Sequence, residues 1–215
     1  RNKALHQAMR VFWSCGYEGA SVSELAEAMG INKPSLYAAF GCKEALFREA
    51  IELYEREEGA PVSEALQNGR TARAAIETAL RVNARSYTNP ENPRGCMVVI
   101  SALAGAPENN PVCRFLAENR RGSEDDFRRR VERGIADGDV PESANPRSVA
   151  AFYATVMHGL SIRARDGATA QAATGWWYGS CDCGCCCCRR KYRTNRRSSG
   201  WCAYVLYYRW YGRWN

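Results

Sequence analysis

Residues 21–47, SVSELAEAMGINKPSLYAAFGCKEALF, constrain this chain more than any other stretch. Two short helices and the start of a third must fit there, with almost nothing between them. Ser21 followed by Glu24 makes a capping box, in which each side chain satisfies the other's backbone N–H. Leu25, Ala26 and Met29 then recur on one helical face. Gly30 supplies the positive φ of a tight helix-to-helix turn, and Ile31 plugs the corner behind it. Asn32 caps a second helix, with Pro34 in its first turn, where a missing N–H costs nothing. Leu36 and Phe40 face inward, which turns Lys33, Ser35, Tyr37 and Ala38 outward. A helix this short cannot stand alone in water, so its outer face is offered to a partner. The pattern is a helix-turn-helix.

A formal charge of +7 over 215 residues invites a nucleic-acid argument, but its location removes the force of it. Residues 171–215 hold 8 of the 30 Lys and Arg and one of the 23 acidic residues. The first 170 residues therefore carry 22 of each sign and balance to zero. The same division appears in the cysteines and tryptophans: seven of 11 Cys and five of 6 Trp follow Gln171. Four scattered thiols before that point suggest no disulfide framework, and a cytoplasmic location is expected. No run of eighteen apolar residues exists and no secretory leader opens the chain, so no membrane partner is expected. Arg1 is not a methionine, and further N-terminal sequence is expected before it.

The first 170 residues give an all-α chain. Leu5, Ala8, Met9, Phe12 and Trp13 predict a helix over 2–15 that Gly16 ends. With 22–29 and 33–40 it completes a three-helix unit, and a fourth helix runs from Cys42 or Lys43 to about Glu58. Gly59-Ala60-Pro61 is expected to break that helix and to mark a boundary between a domain of 1–58 and a larger one of 62–170. Residues 62–68 and 71–88 predict one long or kinked helix. CMVVISALA at 96–104 is a continuous apolar run that suits a buried strand or helix, and the absence of a partner strand favours the helix. A long charged helix over 112–136 follows. Asn145 with Pro146 then starts another over 146–165.

The chain resembles the TetR/AcrR family of bacterial repressors over about residues 3–170. The resemblance rests on residues 21–47, where the turn glycine, the tyrosine-x-x-phenylalanine and the lysine-glutamate-alanine-leucine all agree. PRGCMVV at 93–99 and HGLSIRARDGA at 158–168 look like its ComR-like subgroup. The resemblance implies a homodimer that sets two copies of the 33–40 helix into successive major grooves of a palindromic double-stranded DNA operator. It implies that a small-molecule effector binds the larger domain and alters the spacing of the two readers. Half-sites about 34 Å apart or a multiple of it make affinity depend on that spacing, and an effector acts only through differential affinity for the two states.

Roles then follow by position. Lys33, Ser35 and Tyr37, with Pro34 beside them, are candidates for groove and phosphate contacts, and Ala38 for a thymine methyl. Lys43 matches the family's phosphate-contacting lysine, although Cys42 replaces the polar residue usual before it. Ser21 and Ser23 stand at a helix N-terminus that suits a phosphate. The plain alternatives are a cap for Ser21 and packing for Tyr37. Candidate effector contacts are Cys96, Met97, Ile100, Phe115, Phe127, Tyr153, Met157 and His158, against an ordinary core. Cys96, opening a helix after Gly95, offers a redox- or electrophile-sensing alternative. Val149, Phe152, Val156 and Leu160 are the expected subunit contact, paired in the family with one more helix that should begin near Ala168.

Residues 171–215 resemble nothing in that family. Six Cys lie within 181–188, a density that suggests Zn²⁺ or Cu(I), yet four in succession cannot all reach one metal. RRKYRTNRR with flanking aromatics suits non-specific nucleic-acid binding. A shifted reading frame in place of natural sequence is the simpler expectation. Two histidines, no paired catalytic carboxylates and no Gly-rich phosphate loop argue against an enzyme, and no cofactor or metal is expected in the helical part.

Overall fold

A computed structural model describes residues 1–102 and 111–174 of the chain. Every regular element among them is helical. The first helix, α1 (Asn2–Gly19), buries Leu5, Ala8, Met9, Phe12 and Trp13, and its regular course stops at Gly16, whose φ of 75° and ψ of 178° are non-helical. Helix α2 (Val22–Met29) starts from the capping box: Glu24 N–H donates to Ser21 Oγ at 3.1 Å and Ser21 N–H to Glu24 Oε2 at 2.9 Å. Gly30 at φ 68° makes the turn, a conformation that would strain any side chain with a Cβ. Helix α3 (Lys33–Phe40) is capped by Asn32 Oδ1, which accepts from Ser35 N–H at 2.8 Å. Caps of this kind stabilise by about 1 kcal/mol each, which matters for helices of eight residues.

Helix α4 (Lys43–Tyr54) opens with an unexpected cap, because the Cys42 Sγ accepts from Ala45 N–H at 3.4 Å. Cys42 thus fills the place of the missing polar residue. Phe47 is fully buried against Phe12, with ring centroids 5.0 Å apart.

The expected break at Gly59-Ala60-Pro61 does not occur. The chain passes from α4 through a π-helical turn (Glu55–Gly59) directly into α5 (Ala60–Asn68), with Gly59 and Ala60 both right-handed helical. Pro61 lacks an N–H and would crowd the carbonyl four residues back. The wider π turn immediately before α5, where Pro61 occupies the first turn, accommodates both problems. Residues 43–68 form one unbroken helical rod.

The one long or kinked helix expected over 62–68 and 71–88 is instead two. Gly69 to Thr71 separates α5 from α6 (Ala72–Tyr87), and the two pack side by side. Arg130 and Arg133 donate to the carbonyls of Gly69 and Gln67 at 3.1 and 2.9 Å, while the Asp139 carboxylate accepts from Ala72 N–H at 3.0 Å. These groups close the end of one helix and the start of the next. The apolar run after Gly95 is helical, as α7 (Met97–Ser101); its residues 103–104 lie outside the described part. Helices α8 (Pro111–Ala136) and α9 (Pro146–Arg165) keep the expected bounds, and α10 (Ala170–Thr174) begins close to Ala168. The readings made for 175–215 lie outside the described residues.

Candidate nucleic-acid interface and effector cavity

The outer face of α3 is built as expected. Leu36 and Phe40 are buried, while Lys33, Pro34, Ser35 and Ala38 are exposed and Tyr37 is 47% exposed. Tyr37 and Ile162 are the large hydrophobics most open to solvent among the described residues, so Tyr37 is not packing. From Gly30 to Lys43 the only charged residues are the two lysines, which leaves this face free of carboxylates. Ser21 and Ser23 are exposed at the start of α2. The Ser21 hydroxyl oxygen is engaged as the cap, and its proton remains available to an acceptor. Lys43 Nζ sits 4.3 Å above the centroid of the Tyr17 ring, a cation–π contact that holds the ammonium beside the N-terminus of α4. Tyr17 in turn packs on Phe47, 5.1 Å between centroids.

A second feature lies along the rod. A cavity of about 490 Å³ is walled by Tyr54, Glu55, Glu58, Gly59, Val62, Ser63 and Leu66 from residues 43–68, by Asn83 and Tyr87 from α6, and by Cys96, Val98 and Val99. Phe115, Asn119, Arg120 and Phe127 of α8 and Met157 and His158 of α9 complete it. Five of the expected effector contacts are therefore brought together: Cys96, Phe115, Phe127, Met157 and His158. The other three are not. Met97 is fully buried in the packed core, Ile100 is half-buried away from the cavity, and Tyr153 stacks behind Phe127 at 6.3 Å.

Of the polar part of this wall, Cys96 and His158 were expected, but Asn83 and Arg120 were not legible from periodicity. Asn83 is 4% exposed, and its Nδ2 has no hydrogen-bond partner; Arg120 Nη1 is buried and equally without one. Burial pushes the Arg120 guanidinium below its ordinary value, and burial followed by the nearby Arg120 charge pushes His158 down, so that ring is neutral at pH 7. Tyr54 and Tyr87 share this wall with Cys96, and burial first, then that neighbour, raises both phenols well above their usual range. Cys96 itself is 9% exposed, and its N–H donates to Ser161 Oγ at 2.7 Å.

The two features are mechanically joined. Trp13 Nε1–H of α1 donates to the Gly95 carbonyl at 2.8 Å, the residue before Cys96, and its ring meets Tyr54 edge-on at 4.8 Å. Arg10 donates to the Glu91 carbonyl at 2.7 Å and Arg165 to the Ser14 carbonyl at 2.6 Å. Arg48 of α4 lies over Phe115 of the cavity wall, 4.4 Å from its centroid.

Of the expected subunit contact, Val149 and Leu160 turn out to be 6% and 3% exposed within the chain itself, because they lie on the side of α9 that packs on α6 and α8. Phe152 and Val156 are only half-buried, and Gly159 and Ile162 continue their stripe; a Cβ at Gly159 would meet open space, and Ile162 is 40% exposed.

The sequence model described as "Bacterial regulatory proteins, tetR family" matches residues 4–50. That described as "Tetracyclin repressor-like, C-terminal domain" matches residues 72–175. The chain is 33% identical over 168 residues to the HTH-type transcriptional repressor BdcR of Escherichia coli, covering 77% of this chain and 79% of that protein. It is 28% identical over 170 residues to the HTH-type transcriptional repressor ComR of the same organism, covering 79% and 81%. Among solved structures it is similar to a cysteine-substituted form of the TetR family transcriptional regulator CifR complexed with 26-base-pair operator DNA. That likeness has a TM-score of 0.79 at 44% identity and covers 82% of this chain and 92% of that one.

Proposed function

The chain belongs to the TetR family of bacterial regulatory proteins, and from that premise we propose that it is an effector-released repressor that binds a palindromic operator as a homodimer. It would act in the cytoplasm, where the operator is. Seven residues of the cavity wall belong to the rod whose other end carries Lys43, and that observation carries the reading. Lys43 and Tyr54 are eleven residues apart, or about 16 Å at the rise of an α-helix. A molecule that fills the cavity and moves Tyr54 or Leu66 must therefore move the Lys43 end of the same helix. The Trp13–Gly95 hydrogen bond supplies a second route, from the Cys96 segment to α1. Lys33, Ser35, Tyr37 and Ala38 meet base edges and phosphates in this reading, and Ser21, Ser23 and Lys43 the flanking backbone.

The division into a reader of 1–58 and an effector and dimerisation part of 62–170 is kept as a functional one, with the rod crossing it. A subunit interface on the outer stripe of α9, Phe152, Val156, Gly159 and Ile162, is supported by its exposure. Genomic fragments selected on the purified protein identify the operator. Titration of an inverted repeat from that pool should saturate at two chains per duplex and be reversed by an effector extract, and a single chain per duplex at saturation contradicts the homodimer.

A second reading has one observation in its favour. Cys96 lines the cavity together with Tyr54 and Tyr87, where an entering electrophile would meet its thiol. Under that reading, alkylation confined to Cys96 releases operator DNA; a fully alkylated protein that still binds removes it.

A further inference from the structure

We propose that the cavity recognises a small carboxylate with an apolar body, its anionic end taken by the Asn83 amide and the Arg120 guanidinium. This rests on the reading of the cavity as the effector site and names the class of molecule it takes.

The buried wall atoms that lack a partner are both donors, Asn83 Nδ2 and Arg120 Nη1. A buried donor without an acceptor is a standing cost to the fold, and a ligand acceptor removes it. Two such donors on one cavity, one of them cationic, call for an acceptor with negative charge. The acidic residues of the same wall do not fill that demand. Glu58 is occupied on both oxygens, accepting from Ser86 Oγ at 2.6 Å and from Asn92 Nδ2 at 3.1 Å. Asp126 accepts from Arg129, and Glu55 and Glu118 are exposed to solvent. Arg120 forms no ion pair within 4.0 Å among the described residues.

The rest of the wall sets the other half of the ligand. Leu66, Val98, Val99, Phe115, Phe127 and Met157 present hydrocarbon and aromatic surface. A volume of about 490 Å³ falls in the ordinary range for pockets that enclose a small organic molecule. His158, neutral beside Arg120, adds no second positive charge, so a single carboxylate matches the site better than a phosphate dianion.

Calorimetric titration of the full chain with octanoate, decanoate and 4-phenylbutyrate, against octanol, octyl phosphate and decyltrimethylammonium, tests this without reference to DNA. At least one carboxylate should bind ten-fold or more tightly than octanol and more tightly than octyl phosphate. Arg120→Met should lose about ten-fold towards that carboxylate and keep its affinity for octanol; Asn83→Leu should lose several-fold. The proposal is overturned if none of the three carboxylates binds, or if octanol, octyl phosphate or the ammonium compound binds as well or better. Arg120→Met with undiminished carboxylate affinity overturns it too. The wild-type series needs no variant to fold. Carboxylate binding that leaves operator affinity unchanged would instead count against the regulatory reading alone, since calorimetry and DNA release are read separately.

Discussion

Single residues on the reader carry separable tasks. Lys43 is held over Tyr17 at the start of α4, and in the proposed reading it meets a phosphate and not a base. Lys43→Ala is therefore expected to weaken binding on every duplex alike and to lower the salt slope by about one unit; titration at several salt concentrations reads both, and an unchanged slope removes Lys43 from the interface. Ser21 and Asn32 act through their caps. Ser21→Ala should lower unfolding stability by about 1 kcal/mol, measured in urea, whether or not the hydroxyl also meets DNA. Such residues were legible because capping is local: an acceptor side chain and an N–H three positions on suffice. Asn83 and Arg120 were not, because a polar residue on a helix says nothing of which helices will enclose it. Val149 and Leu160 misled for the related reason that an apolar stripe does not say whether its own chain or a second copy covers it.

Among the elements, the proposed release of DNA requires helices that move as units. The break inferred from Gly59-Ala60-Pro61 was drawn from proline's rule for α-helices, and the π turn before it evades that rule. The consequence is a continuous helical rod where a break and a domain boundary were expected. The 88–96 loop is the other connector, and Gly95 is its tightest point. Its φ is 85°, and a Cβ there would lie 2.9 Å from the Ser161 carbonyl oxygen. Gly95→Ala should cost about 1–3 kcal/mol of stability and loosen the Trp13 hydrogen bond to the same residue. Denaturant unfolding, with tryptophan fluorescence as the probe, checks this. A pH-sensitive tie also joins α1 to the π turn: His6 Nε2 meets Glu57 Oε1 at 2.7 Å. The Asn2 carbonyl first, and Glu57 next, raise the His6 pKa above 6.5. A raised folded-state pKa stabilises fully below the unfolded value and loses that contribution as pH rises through the folded one. The melting-temperature difference between the natural chain and His6→Gln should accordingly be larger at about pH 5.5 than at about pH 8, and small throughout because the pair is exposed.

For the whole molecule, the proposed subunit contact would divide the two sides of α9 between stability and assembly. Leu160→Ala should cost about 2–5 kcal/mol and appear in unfolding curves. Ile162→Asp should leave unfolding of the monomer unchanged and shift sedimentation towards a single chain; the reverse pattern would move the subunit contact elsewhere. In the proposed reading repression needs both, because one reader on one half-site forgoes the second groove. The most direct measurement is fluorescence anisotropy of the purified chain on a selected inverted-repeat duplex and on the same duplex with its two half-sites respaced by five base pairs. A homodimeric reader should bind the first tightly and lose at least ten-fold on the second, since its two α3 helices would then face opposite sides of the duplex. Equal affinity for the two duplexes would contradict it.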